Sequence, residues 1–285
     1  MYDDFFEIYD SFKVNEVEDP LRETLQLFDV LSKRALRETD LSVFNKKKID
    51  YSFLAQKRKE GIPLEYIIGM APFLGRMFYC SSAALIPREE TELLTKVGLK
   101  LIKEKQEVKK YITIIDMGTG CGNIAVSLAL NSEDTHILAS DLSPDTIQIT
   151  KKNVEKYNLQ NRITLSSGDL FSPISETDYN KKIDMIVCNP PYIPSGSLHK
   201  LSPDIIEHEP KEAFDAGAFG IDFFRRLING SKRFLKPKGI LVFEIGAGQE
   251  KLVTRLIERS GDYHNIEYYK RNEQIRVISA EMVND

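Results

Sequence analysis

From residue 112 onward, short apolar segments alternate with longer segments of helical periodicity, and no other feature of the chain constrains its fold as strongly. Each apolar segment is rich in β-branched residues and too short for a helix, so we predict strands there. The predicted strands cover residues 112–117, 136–141, 163–167, 185–189, 239–245, 266–269 and 275–279. Strands that alternate with helices predict an α/β fold with a mostly parallel, seven-stranded sheet covered on both faces. Ligands of such sheets bind beyond the carboxyl ends of the strands.

Residues 1–70 show no strand-like alternation and carry apolar residues at helical spacing instead. The Asp19-Pro20 pair predicts a helix start, because aspartate caps helices and proline is tolerated in the first turn. The apolar positions of that helix are Leu21, Leu25, Phe28, Leu31 and Leu36. Further helices are predicted at residues 46–55 and 63–68. We predict a small all-helical domain that docks the substrate.

The helical spacing of apolar residues ends at residues 71–87, where Gly75 interrupts a segment of loosely alternating apolar and polar residues. A glycine between two short alternating runs predicts a hairpin. The acidic residues at positions 89–92 favour the start of a helix, since negative charge stabilises a helix N-terminus. We therefore predict a helical domain over residues 1–70, a hairpin linker over 71–87 and a larger domain over 88–285.

Charge and cysteine content argue against several classes of protein. The net charge is −4 and the pI is about 5.8, so no stable nucleic-acid partner is expected. Acids dominate positions 1–29 and bases dominate positions 33–59, which indicates either solvated helix faces or a surface that docks a macromolecule. Three widely spaced cysteines and four histidines form no metal-binding pattern. The sequence has neither a membrane-spanning run nor a secretory signal, so we expect a cytoplasmic protein with no membrane partner.

A glycine-rich loop follows the first predicted strand, in the segment Asp116-Met117-Gly118-Thr119-Gly120-Cys121-Gly122. Glycines let a ligand approach the backbone, and the next helix offers free amide groups. The dinucleotide fingerprint would require a glycine at position 123, where the chain has Asn123. Asp141 ends the second strand, where its carboxylate could bind two ribose hydroxyls or cap the helix that begins at Ser143-Pro144.

Asp169 and Leu170 follow the third strand, where an acid and an apolar side chain could contact the amine and ring of an adenine. The loop at 116–122, Asp141 and the Asp169-Leu170 pair resemble, in order and spacing, the motifs of class I methyltransferases, whose sheet is Rossmann-like. The resemblance implies S-adenosyl-L-methionine as the cofactor. The cofactor-binding residues that it implies are Asp116, Gly118, Thr119, Gly120, Cys121, Gly122, Asp141, Asp169, Leu170 and Asn189.

The tetrapeptide Asn189-Pro190-Pro191-Tyr192 stands at the end of the fourth predicted strand and is the segment that indicates the chemistry. An amide nitrogen is a poor nucleophile because its lone pair is delocalised into the carbonyl group. The side-chain carbonyl of Asn189 and the backbone carbonyl of Pro190 could accept both N–H groups of a substrate and direct the lone pair at a methyl donor. The two prolines stiffen the loop, and Tyr192 would offer a flat face to a planar group. We predict Asn189, Pro190 and Tyr192 as catalytic, with Pro191 helping to bind the substrate.

Four segments resemble the release factor glutamine methyltransferases (the PrmC/HemK family). Residues 85–92 resemble the family's I-P-R-x-E-T-E motif, and residues 189–194 its extended N-P-P-Y-I-P motif. Residues 209–226 resemble its E-P-x, L-D-G-G and G-L-D-F-Y-R lid, and residues 243–249 its E-I-G-x-x-Q strand. The resemblance implies N5-methylation of the glutamine in the Gly-Gly-Gln motif of class 1 peptide chain release factors, with that protein as the partner.

The sequence leaves other substrates open. Asn-Pro-Pro-Tyr is also similar to the catalytic motif of enzymes that methylate exocyclic amines of DNA or RNA bases, and another protein amide or a small molecule would suit the same chemistry. A cofactor-binding protein without activity would need a damaged site, which the intact Asp116, Asp141 and Asn189 argue against. Arg88 is predicted to reach the cofactor carboxylate or a substrate carbonyl, or else to pair with Glu92 on the surface.

Overall fold

The computed structural model describes residues 2–25, 27, 51–218 and 220–284. Helices dominate the N-terminal region: residues 20–25 are helical, and the other bounds are α1 Tyr2–Val14, α2 Tyr51–Lys59 and α3 Leu64–Ile68. The Asp19 carboxylate accepts a hydrogen bond from the Arg22 amide at 3.2 Å, so the predicted helix start is confirmed. The predicted helical positions at 28, 31, 36 and 46–50 lie outside the described residues.

The N-terminal helices enclose a small apolar core of their own. Its buried members are Ile8, Phe12, Val17, Leu27, Ala55 and Leu64. These residues come from α1, from positions 17 and 27, and from α2 and α3. Burying the apolar face of one amphipathic helix against another is what stabilises short helices, which are marginal in isolation.

An antiparallel hairpin follows, formed by β1 (Met70–Phe73) and β2 (Arg76–Tyr79). Its two turn residues, Leu74 and Gly75, have φ of +46° and +70°, as expected for a tight hairpin turn. The Asn153 side chain accepts from the Tyr79 amide at 2.7 Å and donates to the Tyr79 carbonyl at 2.9 Å. The hairpin is therefore attached to the α/β part of the chain.

Seven strands form the main sheet. They are β3 Ile112–Met117, β4 Thr135–Asp141, β5 Ile163–Ser167, β6 Ile183–Cys188, β7 Leu235–Glu244, β8 Tyr263–Arg271 and β9 Gln274–Met282. Their spatial order is β5-β4-β3-β6-β7-β9-β8, with the first five parallel and β9 antiparallel to both of its neighbours. The predicted seven-stranded, mostly parallel sheet is confirmed. Every residue of β6 is buried, as expected for a central parallel strand.

Helices cover both faces of this sheet. In chain order they are α4 Glu89–Gln106, α5 Asn123–Asn131, α6 Pro144–Lys156, α7 Glu176–Tyr179, α8 Pro203–His208, α9 Asp222–Ser231 and α10 Glu250–Ser260. One core layer contains Leu94, Ile124 and Val154 of α4, α5 and α6. The opposite layer contains Phe224 and Ile257 of α9 and α10. In the described part of the chain, no helix is both long and apolar enough to cross a bilayer.

The last three strands are longer than the sequence pattern predicts. β7 begins at Leu235, which pairs with Ile183 across a register shift, whereas the apolar run begins only at residue 239. β8 extends over nine residues, but its exposed face carries polar side chains, so only part of the strand forms an apolar segment in the sequence. Antiparallel edge strands commonly have one solvated face.

Candidate active site

The loops that follow β3 and β6 meet at one edge of the sheet, beside a cavity of about 640 Å³. The two strands are neighbours, with Met117 paired to Cys188, so the residues that come next are also adjacent. Gly118 and Asn189 both line the cavity, and a Cβ atom at Gly118 would lie 3.8 Å from the backbone oxygen of Asn189. The fold therefore brings together the predicted cofactor loop and the predicted catalytic loop.

The glycine loop contributes only part of its length to the cavity. The loop residues at its wall are Met117, Gly118, Thr119 and Gly120. Cys121 and Gly122, also predicted to bind the cofactor, do not line it. Gly122 has a φ of +83° and packs so closely on α6 that a Cβ atom would lie 2.7 Å from Thr150 Cγ2. Burial raises the pKa of the Cys121 thiol to about 12, so the thiol is uncharged where it packs beneath the loop.

Asp116 lies beneath the glycine loop and does not line the cavity. Its Oδ2 accepts hydrogen bonds from Thr119 Oγ1 at 2.6 Å and from the Ala125 amide at 3.1 Å. Its Oδ1 is buried and has no hydrogen-bond partner among the residues that the structure describes. Burial raises the pKa of Asp116 to about 7, against the lowering effect of those two bonds. Asp116 thereby links the loop at Thr119 to the first turn of α5 at Ala125.

Asp141 lies at the carboxyl end of β4 and lines the cavity. Its Oδ2 accepts from the Gly120 amide at 2.9 Å, and its Oδ1 accepts from the Ser143 amide at 3.3 Å. The N-cap of α6 is Ser143, whose Oγ accepts from the Thr146 amide at 3.4 Å. The predicted alternative, in which Asp141 caps this helix, is therefore wrong. Burial raises the pKa of Asp141, and its backbone hydrogen bonds oppose that rise.

Asp169 and Leu170 line the cavity beyond β5. Leu170 has a φ of +48° and is buried, whereas the Asp169 carboxylate is more than half exposed. Asp169 Oδ2 accepts a hydrogen bond from Arg226 of α9 at 2.5 Å. Arg226 also lines the cavity, and the sequence pattern did not identify it as a site residue. One Asp169 oxygen thus already has a cationic partner in the protein.

Asn189 is the first residue after β6, and its amide is held on one side only. Its Nδ2 donates to Thr91 Oγ1 at 3.0 Å. No donor within the described ranges reaches Asn189 Oδ1 or the Pro190 carbonyl oxygen. Both oxygens predicted to accept substrate N–H groups are therefore without a partner among the residues that the structure describes.

The other residues of the tetrapeptide differ in their surroundings. Pro191 lines the cavity, whereas Pro190 is buried and Tyr192 does not reach the wall. The Tyr192 ring turns toward Arg276, whose Nη2 donates to the phenol oxygen at 3.2 Å and whose guanidinium lies 5.7 Å from the ring centre. Burial raises the pKa of Tyr192 to about 12, so the phenol is neutral. In this arrangement the aromatic ring predicted to contact the substrate is partly buried and lies beside Arg276.

Three residues behind the tetrapeptide were not predicted as part of the site. Thr91 Oγ1 donates to Glu244 Oε2 at 2.9 Å, and Glu244 Oε1 lies 3.5 Å from Arg276 Nη2. The side chains of Thr91 and Glu244 are almost completely buried. The sequence does contain a signal for them, because Thr91 and Glu244 fall within the segments 85–92 and 243–249 that resemble family motifs.

The segment after the tetrapeptide folds back to form one wall of the cavity. Ile193 and Asp215 form an isolated parallel bridge, in which the Ile193 amide donates to Phe214 and its carbonyl accepts from Ala216. Pro210, Glu212, Ala213, Asp215, Phe223 and Arg226 line this side. The Gln249 side chain donates to the Tyr192 carbonyl at 2.9 Å and accepts from the Gly246 amide at 2.8 Å. These bonds attach the tetrapeptide to both the lid and the end of β7.

Arg88 pairs with Glu209 and not with Glu92. It lines the cavity and pairs with Glu209, whose carboxylate is buried and also accepts from the Ile86 amide at 3.4 Å. The pairing with Glu92 is wrong, because Glu92 instead accepts from the Leu74 amide and pairs with Lys96. Burial raises the pKa of Glu209, and Arg88 opposes that rise. Among the described residues, no group of three or more His, Cys, Asp or Glu side chains is placed to hold a metal ion.

Comparison with known proteins shows which family this chain resembles. A family model described as "Methyltransferase small domain" matches residues 95–221. A release factor glutamine methyltransferase of Bacillus cereus is 38% identical over 79% of this chain and 78% of its own length. A protein of the same name from Clostridium acetobutylicum is 37% identical over 72% of this chain and 70% of its own length.

A similar fold occurs in the hMettl16 catalytic domain, which was solved in complex with the MAT2A 3'UTR hairpin 6. That structure covers 87% of this chain and 97% of its own length, with a TM-score of 0.56 and 17% sequence identity. The likeness supports the fold alone. The relatives from Bacillus and Clostridium match most of their own length, and so this chain belongs to the release factor glutamine methyltransferase family.

Proposed function

We propose that this protein transfers a methyl group from S-adenosylmethionine to the side-chain nitrogen of the glutamine in the Gly-Gly-Gln motif of class 1 peptide chain release factors. The observation that carries the proposal is the position of Asn189. It lines the same cavity as Gly118, Thr119 and Gly120, with its NH2 group bonded to Thr91 and its carbonyl oxygen left for a substrate. The names of the relatives support the release factor as the substrate.

The residues around the glycine loop fit an adenosine-bearing methyl donor. Each Asp141 oxygen accepts one backbone N–H group and keeps a lone pair for a ribose hydroxyl. Gly118, Thr119 and Gly120 would lie against the donor at the cavity wall, and Asp169 with Leu170 would contact its adenine. Asp116, Cys121 and Gly122 would shape the loop from below. S-adenosylmethionine, when bound, supplies a methyl carbon made electrophilic by the adjacent sulfonium.

The residues of the tetrapeptide would prepare the nucleophile. Asn189 Oδ1 and the Pro190 carbonyl would each accept one N–H group of the glutamine amide, which draws electron density back to nitrogen and fixes the plane of the amide. The nitrogen lone pair would then point toward the glycine loop. The nitrogen lone pair would form the new N–CH3 bond as the S–CH3 bond of the donor breaks, with that bond's electron pair retained by sulfur in S-adenosylhomocysteine. The nitrogen would then release one proton to solvent, which leaves a neutral N-methyl amide.

Orientation would be the main catalytic effect of this arrangement. Holding a nucleophile in attack geometry can lower a barrier by up to ~7–11 kcal/mol. Two net hydrogen bonds contribute only ~0.5–1.5 kcal/mol each. The stiffness of the Pro190-Pro191 pair and the bond from Gln249 to the Tyr192 carbonyl would preserve that orientation. Tyr192 would act from behind the loop, through its contact with Arg276.

The N-terminal helical domain, residues 1–70, would grip the release factor. Arg58 of α2 pairs with Glu23 at 2.8 Å and with Asp204 of α8 at 3.1 Å. Since α8 leads directly into the lid segment at residues 209–226, this contact supports a docking surface on the substrate side. The hairpin linker, residues 71–87, would connect that domain with the methyltransferase domain, residues 88–285.

A methylation assay with peptide mapping tests the substrate. Purified release factor and labelled S-adenosylmethionine are incubated with the protein, and tryptic peptides are mapped by mass spectrometry. We expect one added methyl group on the Gly-Gly-Gln glutamine and none on a release factor in which that glutamine is replaced by glutamate. An unmodified Gly-Gly-Gln peptide, together with methylation of a different protein amide, small molecule or nucleic-acid base, would transfer the proposal to that substrate.

A further inference from the structure

We propose that Glu244 sets the orientation of the Asn189 side-chain amide through the hydroxyl of Thr91, so that the amide oxygen and not the NH2 group faces the substrate. The inference rests on the proposed function, since it concerns how the acceptor for the substrate amide is aimed. Glu244 and Thr91 are positioning residues in this proposal. They act through Asn189 and need no contact with the reacting atoms.

An asparagine side chain cannot by itself choose between its two orientations. The oxygen and nitrogen of the amide are almost the same size, so rotation by 180° exchanges an acceptor for a donor without changing the fit. Only the hydrogen-bond partner distinguishes the two orientations. In one of them Asn189 can polarise a substrate amide, and in the other it presents two N–H groups to the N–H groups of the substrate.

The proton of the Thr91 hydroxyl decides between the orientations. A hydroxyl has one hydrogen to donate, and an ionised carboxylate can only accept. Thr91 Oγ1 lies 2.9 Å from Glu244 Oε2, so its hydrogen belongs to that bond. The same oxygen lies 3.0 Å from Asn189 and can therefore only accept there. Asn189 must turn its NH2 group toward Thr91, which leaves Oδ1 toward the cavity.

The environment of Glu244 holds this carboxylate in place, and the adjacent Arg276 guanidinium opposes the effect of burial on its charge. It is the last residue of β7, pairs with Val277 of β9 and is only 1% exposed. Arg276 Nη2 lies 3.5 Å from Glu244 Oε1 and also donates to the Tyr192 phenol. Burial raises the pKa of Glu244, while the Thr91 hydroxyl and the Arg276 guanidinium oppose the rise. One carboxylate thus holds both ends of the Asn189–Tyr192 loop.

Removing the charge of Glu244 should remove the preference for the orientation in which Asn189 Oδ1 faces the cavity. In Glu244→Gln the new NH2 group can donate to Thr91, which frees the Thr91 hydroxyl to donate to Asn189 and lets the Asn189 amide turn over. In Thr91→Val the relay itself is absent. Thr91→Ser keeps the hydroxyl and should recover most of the turnover that valine loses. Thr95→Val is the matched control, because Thr95 is a fully buried threonine one turn along α4 whose hydroxyl donates to the Thr91 carbonyl.

The test compares kcat, KM for the release factor and Kd for S-adenosylmethionine in these variants. We expect Glu244→Gln and Thr91→Val to lower kcat by roughly 10- to 100-fold and to change Kd by less than about threefold. The double variant should be no slower than the slower single variant, because both act on one step. Wild-type kcat in both single variants, or an equal kcat loss in Thr95→Val, would overturn the proposal. If Glu244→Gln does not fold, the Thr91→Val and Thr91→Ser pair decides.

A second measurement needs no substrate and separates this inference from the proposed function. The side-chain amide resonances of Asn189, assigned by their loss in Asn189→Ala, should shift in Thr91→Val and Glu244→Gln but not in Thr95→Val. Unshifted resonances in the first two variants would refute the relay even if wild-type protein methylates the release factor. If the resonances shift in both variants but the wild-type protein does not methylate the release factor, the relay is retained and the proposed substrate is refuted.

Discussion

Replacing Asp141 with asparagine tests whether this carboxylate binds the ribose of the methyl donor. One Asp141 oxygen accepts from the Gly120 amide at 2.9 Å and the other from the Ser143 amide at 3.3 Å. Each oxygen of a carboxylate can accept a second hydrogen bond, so both retain capacity for a ribose hydroxyl. Asparagine has the same shape but only one acceptor oxygen, and its NH2 group would face one of the two backbone N–H groups.

The expected magnitude follows from the loss of one hydrogen bond to a charged group. Such bonds contribute ~1.5–3 kcal/mol, so the Kd for S-adenosylmethionine should rise by roughly 10- to 150-fold. The backbone N–H group left without an acceptor should also lower the free energy of unfolding by about 1–3 kcal/mol. Affinity and stability therefore both change, and a control must separate them.

Ser143→Ala is that control. It removes the cap of α6, in which Ser143 Oγ accepts from the Thr146 amide, and should lower the free energy of unfolding by about 0.5–2 kcal/mol. Calorimetric titration with S-adenosylmethionine and S-adenosylhomocysteine should give an unchanged Kd for Ser143→Ala and a raised Kd for Asp141→Asn. If Asp141→Asn loses stability but binds both ligands as the wild type does, Asp141 serves the fold alone and the ribose role is refuted.

Three further predictions concern catalysis, packing and pH. Asn189→Ala should bind S-adenosylmethionine normally and lower kcat by roughly 10²- to 10³-fold, as for loss of one preorganised hydrogen-bonding group; full turnover would contradict the mechanism. Gly122→Ala should lower the free energy of unfolding in thermal denaturation by more than Gly75→Ala, because both glycines have positive φ but only Gly122 would clash, with Thr150; equal losses would leave backbone strain as the sole cause. The pKa of Asp116 is about 7 in the fold, against 3.8 for the free side chain, so the folded state keeps a proton that the unfolded state loses between those values. Wild-type stability should therefore fall relative to Asp116→Asn, by up to roughly 4 kcal/mol, as the pH rises from about 4 to about 7; parallel pH profiles from chemical unfolding would refute this.

Much of the site could be predicted because its residues follow strands directly. Asp141 and Asn189 each stand at or just after the carboxyl end of a parallel strand, and such ends face one edge of the sheet. The partners of Arg88 and Asp169 could not be predicted, because Glu209 and Arg226 belong to the lid segment, which only the fold brings beside them. A partner that is more than fifty residues away in sequence leaves no local pattern at either position.

The sequence by itself determined the α/β class, the seven strands, the glycine loop and the Asn189–Tyr192 tetrapeptide, because periodicity and strand-to-loop transitions are local properties of the chain. Only the tertiary structure decided what surrounds these residues. Thr91 lies 98 positions from Asn189 and 153 positions from Glu244, yet their side chains form one hydrogen-bonded chain. That chain exists because α4 packs against the sheet and β7 lies beside β6. Hydrogen bonds depend on distances of about 3 Å in space, which strand order and helix packing set.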